Sequence, residues 1–245
     1  MTGVTDVRRL EELAARTWRG LEEQQHGDWL LRAADGFSGR ANSALVVGDP
    51  AEPLEDAVAT VTRWYDARRL TPRAQLPGPA GAADAAFAAA GWTRAEDVLV
   101  LTAPLRPWSA PEVAVQLSPE PDDAWLAGYR YRGAPLPPAA RAVLTHADDP
   151  LFASVRPTAH DHPAAVARGV VEEGWLVITA VTVAEEFRRR GLARAVMAAL
   201  AGAGRERGAH ACLLQVSDDN EPALGLYARL GFTEHHRYHY RSAPA

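Results

Sequence analysis

The stretch "WLVITAVTVAEEFRRRGLARAVMAALAGAG", residues 175 to 204, constrains the fold of this chain more than any other. Its first nine residues are apolar or β-branched without a break, as in a strand covered on both faces. Leu192, Ala195, Val196, Ala199, Leu200 and Ala203 then recur at helical spacing along one stripe. A strand therefore runs through a short loop into a helix, and the loop carries Arg188, Arg189 and Arg190 ahead of Gly191. At a helix N-terminus the first backbone N–H groups lack intrahelical partners, and the positive end of the dipole faces outward. A helix start with only a structural task takes Ser, Asp or Glu. Three arginines there cost roughly 0.3 kcal/mol each or more unless an anion is bound. Gly191 and the small Ala193 let an anion approach the main chain. An exposed basic turn without a ligand is one reading; a phosphate-binding turn is the one this pattern favours.

The kind of phosphate is narrowed by what the turn lacks. A nucleotide-triphosphate loop needs Gly-Lys-Ser/Thr, which is not present. The dinucleotide fingerprint needs a first glycine where Arg188 stands. The formal net charge is −5, so the arginines act locally and a general nucleic-acid binder is not expected. The lone cysteine, Cys212, excludes an internal disulfide and a thiolate zinc cluster. It lies within "ACLLQV", a buried-strand pattern, which speaks against a cysteine acyl-enzyme. No apolar run approaches a membrane span, and "MTGVTDVRRLEELAARTW" has no signal-peptide pattern, so a cytoplasmic protein away from membranes is expected.

A chain of 245 residues suits two modest domains. Residues 5 to 23 predict a helix, "DWLLRAA" and "ANSALVVG" strands, and "GDPAEPLEDAV" the entrance to a second helix through about Arg68. "PRAQLP" reads as a strand, "AADAAFAAAGW" as a helix closing at Gly91, and "EDVLVLTAPL" as a strand. The proline-rich "APLRPWSAPE" reads as a linker, placing one domain over 1–104, the linker at 105–111 and a second domain over 112–245. In the second, "EVAVQLSP" predicts a strand and residues 122–133 and 138–146 helices. "LFASVRP", "AAVARGVVEEG" and "WLVITAVTV" follow as strands, then helix, "ACLLQV", helix and "RYHYR", an α/β pattern. Gly91–Trp92 and Gly231–Phe232 stand 140 residues apart, and at that offset Gln75 meets Gln215, Phe87 meets Tyr227 and Ala80 meets Asn220. An internal duplication explains the match.

"RRRGLA" has the form Arg-x-x-Gly-x-Ala, and "NEPALGLYARLGF" (220–232) follows it with a strand between. Here residues 112 to 241 resemble the GCN5-related N-acetyltransferase (GNAT) superfamily, whose pattern is Gln/Arg-x-x-Gly-x-Gly/Ala between a strand and a helix. The resemblance implies an α+β fold with a mixed, mostly antiparallel central sheet flanked by helices. It also implies two similar halves, the first degenerate. The implied activity is acetyl-CoA-dependent N-acetylation, an amine attacking directly in a ternary complex, with no metal. The loop amides, in Arg189, Arg190, Gly191, Leu192, Ala193 and Arg194, would hold the pyrophosphate, with Arg188 beside them among the cofactor-binding residues. Val181, Thr182 and Val183 would pair with the pantetheine as with an added strand. Asn220 would sit near the cofactor or cap a helix. Tyr227 would touch the cofactor and protonate the departing thiolate.

A general base is less legible. Where some family members place a glutamate, this chain has Gln215; Asp218, Asp219, Glu234, His235, His236 and His239 are the remaining candidates, beside deprotonation through water. Along a strand His236, Tyr238 and Tyr240 share one face, and His235, Arg237 and His239 the other. No metal-ligand spacing is convincing among them. In the first half the corresponding helix entrance carries Asp49, Glu52, Glu55 and Asp56 without an arginine, which repels pyrophosphate. Arg40, Asn42 and Ser43 read as a turn and half-exposed strand, or as acceptor-lining residues. The expected partner is a small-molecule or peptide amine, on a monomer or homodimer. A non-catalytic acyl-CoA sensor, or an enzyme with another acyl donor, are the alternatives.

Overall fold

The computed structural model describes residues 6–79, 81–129, 135–158, 160 and 162–244, with Glu96 described by its backbone alone. The predicted helix start at residue 5, the repeat position Ala80 and the end of the predicted helix at 130–133 lie outside the described residues. The chain divides into two units, one of residues 1–100, 216–221 and 234–245, the other of 101–215 and 222–233. Among the described residues no helix is long and apolar enough to cross a membrane.

The first unit holds α1 (Val7–Thr17), β1 (Glu22–His26), β2 (Trp29–Ala33), β3 (Ala44–Leu45), α2 (Leu54–Asp66), β4 (Arg73–Pro77) and α3 (Ala82–Ala89). It also takes the start of β5 (Thr93–Pro104). From the far end of the chain comes nearly all of β11 (Thr233–Ser242). Its sheet runs β1-β2-β3-β4-β11-β5. The β3–β4 pair is parallel, whereas β1–β2, β2–β3 and β4–β11 are antiparallel. "ANSALVVG" contributes only two residues of strand. The Arg40–Asn42 stretch that leads into it turns as a 3-10 helix. There the buried Asn42 accepts from the Ala34 and Gly36 amides and donates to the Phe37 and Ser38 carbonyls. That is a turn-building residue. The core packs Trp29 on Phe87 with ring centroids 5.8 Å apart, and Phe87 edge-on to Trp92 at 4.7 Å.

A buried polar chain crosses this unit. Arg32 donates to Gln75 Oε1 at 2.8 Å, and Gln75 Nε2 donates to Glu11 Oε2 at 2.7 Å. Glu11 Oε1 meets His236 Nε2 at 2.8 Å. On the opposite face of β11, His239 Nε2 and Arg241 Nε lie 2.7 and 2.6 Å from Asp84 Oδ1. The Arg241 guanidinium and then His239 hold the Asp84 carboxyl down at about 2, against the desolvation that raises it. The stability contributed by this carboxylate is therefore present above pH 4 and lost as pH falls from about 4 towards 2. Asp84→Asn is expected to cost about 2 kcal/mol in urea unfolding at pH 7. The difference from wild type should shrink by more than half by pH 2.5 and vanish only below pH 2, provided both still fold there; a constant difference across pH would show that the ion pair is not its source.

The second unit takes the end of β5, then β6 (Gln116–Ser118), α4 (Asp123–Gly128), α5 (Ala140–Thr145), β7 (Leu151–Val155), β8 (Ala165–Glu172), β9 (Trp175–Val183), α6 (Leu192–Glu206), β10 (Ala211–Ser217, up to Gln215) and most of α7 (Glu221–Arg229). Its order is β5-β10-β9-β8-β7-β6. β9 and β10 are parallel, joined by α6, while β6–β7, β7–β8 and β8–β9 are antiparallel. The mixed, largely antiparallel sheet with flanking helices agrees with the fold that the sequence implies. The α6 stripe buries Leu192, Ala195, Val196, Met197, Leu200, Ala201 and Gly204. Gly204 is needed small, since a Cβ there would stand 3.2 Å from Leu176 in β9.

The offset of 140 residues holds in three dimensions within each unit. α3 begins after Gly81 and α7 spans its shifted counterpart; β5 starts at Thr93 and β11 at Thr233. Trp92 N–H bonds the Phe87 carbonyl at 3.1 Å and Phe232 N–H the Tyr227 carbonyl at 3.0 Å. Gly91 and Gly231 both adopt left-handed φ, +81° and +86°. The two helix ends are built alike.

Candidate functional site

β9 ends in the way its sequence obscures. The apolar run predicts cover on both faces, yet only Leu176 to Thr179 are buried and residues 180 to 183 are half-exposed. Two features open this end. Parallel pairing with β10 stops at Ile178↔Leu214, five residues before β9 does. On the other edge, Arg168↔Thr179 and Val166↔Thr182 leave β9 with one residue more than β8, and Ala180 takes φ +56°. This is a β-bulge. Beyond it Thr182 and Val183 pair with Val166 and Ala165 of β8, so Val181, Thr182 and Val183 keep one edge in the ladder and present the other unpaired by β10.

The chain then passes through a 3-10 turn, Glu185–Phe187, into the arginine loop. Arg188 is extended, Arg189 left-handed at φ +64°, and Gly191 left-handed at +77° as the N-cap of α6. Among the described residues no side chain caps α6, and its first turn carries no acid. The first main-chain bond across the turn is Ala195 N–H to Gly191 C=O at 3.1 Å. Among the described residues the amides of Arg189 to Arg194, with Leu192 and Ala193 between, have no protein acceptor. Arg190 donates to the Glu186 carbonyl at 3.1 Å and lies over Phe187. Arg188, Arg189 and Arg194 are exposed and, among the described residues, form no ion pair. Unpaired amides, free guanidinium groups and a missing capping acid make a donor set suited to a diphosphate. A Cβ on Gly191 would meet Pro111 Cγ at 3.0 Å in addition to the positive φ. The proline-rich segment thus packs on this turn, with Leu105 N–H bonded to the His210 carbonyl at 2.9 Å and Trp108 5.7 Å from Phe232.

Tyr227 lies in α7, buried to 7 % exposure, its ring 5.8 Å from Phe232. Burial, with the neighbouring Cys212 thiol adding to it, pushes its phenol up to about 12. Cys212 in β10 is wholly buried and its thiol is pushed far up by desolvation, so it stays protonated. Asn220, exposed just before α7, belongs with residues 216–221 to the other unit; its N–H bonds the Ser217 carbonyl at 3.2 Å.

The remaining proton acceptors read from the sequence are mostly engaged. Glu234 holds Arg237 at 2.8 Å, His236 holds Glu11 and His239 holds Asp84. Among the described residues no group of three His, Cys, Asp or Glu side chains could hold a metal. The bulge at Ala180 is the site feature that sequence reading missed, because "ITAVT" continues a strand pattern and no glycine marks the extra residue.

The fold and this strand–turn–helix define a GNAT-type acyltransferase. In particular, the chain belongs to the family described as "Probable histone acetyltransferase Rv0428c C-terminal", which matches residues 4–241, and is an N-acetyltransferase. It is 31% identical to "Probable histone acetyltransferase Rv0428c" of Mycobacterium tuberculosis over 98% of this chain and 74% of that protein. It is 25% identical to "Uncharacterized N-acetyltransferase YobR" of Bacillus subtilis over 96% and 98%. A GCN5-related N-acetyltransferase from Kribbella flavida shares the fold at TM-score 0.70 and 19% identity over 100% and 97% of the two chains. A tandem GNAT protein from the clavulanic acid biosynthesis pathway does so at 0.59 and 16% over 83% and 76%.

Proposed function

We propose that this enzyme transfers an acetyl group from acetyl-CoA to a primary amine by direct attack in a ternary complex. The observation that carries the reading is the α6 entrance, where among the described residues the amides from Arg189 to Arg194 are open and Arg188, Arg189 and Arg194 have no carboxylate partner. The Arg188–Arg194 turn would hold the pyrophosphate. Val181 to Val183, left unpaired on one edge, would bond the pantetheine as a neighbouring strand. Bound there, acetyl-CoA supplies an activated thioester carbonyl. At the bulge two residues face one on β8, which turns main chain out of the ladder beside the acyl group.

The amine nitrogen bonds to the carbonyl carbon, the carbon–sulfur bond breaks, and the sulfur keeps its electron pair. Tyr227 gives the thiolate its phenolic proton; with a value raised to about 12 the phenol is fully protonated at neutral pH. The amine's proton leaves through water, which fits the engagement of Glu234, His236 and His239 elsewhere. Asn220, just ahead of α7, would serve as its cap. The acceptor is a small molecule or a peptide amine.

The first unit reads as a second copy that has lost this chemistry, in keeping with the tandem arrangement of one structural neighbour. Phe87 stands where Tyr227 does and has no proton to give. α2 begins at Pro53 and Leu54 with Glu55 and Asp56 in its first turn, the opposite charge to α6.

A free-thiol release assay with acetyl-CoA against a broad amine panel tests the function. Release that requires an amine is the expected result. Tight acetyl-CoA binding without release across the panel would favour a sensor, and absence of binding would defeat both readings.

A further inference from the structure

Behind the bulge of β9 lies a charge that the transfer chemistry has not yet used. Arg168 in β8 is fully buried. Its neighbour Gly169 faces α6, because a Cβ there would stand 3.1 Å from Leu200. Alternation puts Arg168 on the opposite face of the sheet. There its Nε donates to the Leu144 carbonyl in α5 at 2.7 Å, and its Nη1 lies 3.5 Å from the Thr179 hydroxyl. Arg168 and Thr179 are cross-strand partners, the last regular pair before the extra residue at Ala180. Thr179 is also the first residue of β9 beyond the end of its pairing with β10. A guanidinium does not shed its proton in a protein interior, so its positive charge sits where β9 has left β10 and the bulge against β8 begins. Burial leaves that charge little screened by solvent or salt.

We propose that Arg168 is a positioning residue for acyl transfer. It fixes the start of the bulge through Thr179 and sets a permanent positive charge behind the main chain that receives the acyl group. As the nitrogen–carbon bond forms and the carbon–sulfur bond breaks, negative charge develops on the carbonyl oxygen before it passes to the sulfur. A fixed cation on the far side of the strand favours that redistribution without moving. The proposal rests on the acetyl-CoA reading of the site.

The test uses acetyl-CoA labelled with carbon-13 at the thioester carbonyl and follows its infrared band on the full-length protein. Calorimetry of acetyl-CoA and turnover of the best amine in the panel run in parallel. Arg168→Lys keeps the charge; Arg168→Gln keeps hydrogen-bond donors and loses the charge. The wild type and Arg168→Lys are expected to lower the carbonyl frequency on binding. Arg168→Gln should return it towards that of free acetyl-CoA, with turnover reduced roughly 10- to 100-fold and acetyl-CoA affinity within about 3-fold. An Arg168→Gln band identical to wild type overturns the proposal. So does an equal loss in both variants, which marks a packing role alone. Should Arg168→Gln fail to fold, Thr179→Val is read instead: a band shifted in the same direction supports the proposal and an unmoved band overturns it. If the wild type does not bind acetyl-CoA, the parent reading fails and this one with it, whereas binding with an unaffected band isolates the failure to Arg168.

Discussion

Gly191→Val is expected to weaken acetyl-CoA binding by roughly 100-fold, with little change in the melting temperature. Gly191 holds φ +77°, a region where a β-branched residue is strained. A Cβ would also press on Pro111 Cγ at 3.0 Å. Neither cost is met without moving the turn, and the turn is where the open amides converge. Because the first intrahelical bond starts at Ala195, the rest of α6 and its buried stripe need not follow. Isothermal titration separates the outcomes. Affinity within about 2-fold of wild type would mean that the main chain at Gly191 takes no part in holding the diphosphate.

Tyr227→Phe is expected to lower kcat by roughly 100-fold while leaving acetyl-CoA affinity close to wild type. The ring stays, with its packing on Phe232, and only the proton donor is lost. The pH profile adds a sign. A phenol at about 12 remains protonated through pH 10, so kcat should rise as the amine deprotonates and then stay level rather than fall. A descending limb near pH 8 to 9 in wild type that disappears in Tyr227→Phe would contradict this protonation state. Unchanged kcat in the variant at every pH would remove Tyr227 from the mechanism.

What the sequence disclosed, and what it hid, divides along the reach of the interactions. The α6 stripe, the arginine turn and the paired helix ends at Gly91 and Gly231 depend on residues close in sequence, and all could be read from it. β1 escaped because "EEQQH" has no apolar alternation; it is an exposed edge whose register comes from pairing with β2. Glu11 reads as part of the polar face of α1, yet it is 1 % exposed, because its partners Gln75 and His236 come from 64 and 225 residues away. The open end of β9 is hidden for a related reason. Its residues are as apolar as the buried ones before them, and what uncovers them is the departure of β10 and one extra residue against β8. The turn from Arg188 to Arg194 stands out in the sequence by its charge and its glycine, whereas Arg168, in "VARGV", is indistinguishable by sequence from a surface arginine.

The placement of β11 bears on how this polypeptide can be dissected. Residues 234–242 close the sheet of the amino-terminal unit beside β4 and carry His236, His239 and Arg241 to Glu11 and Asp84. No single cut can release the amino-terminal unit whole, because it draws on both ends of the chain: a product ending near residue 233 would be injured first at its beginning, with β4 bare along one side and the buried carboxylates of Glu11 and Asp84 stripped of their partners on β11.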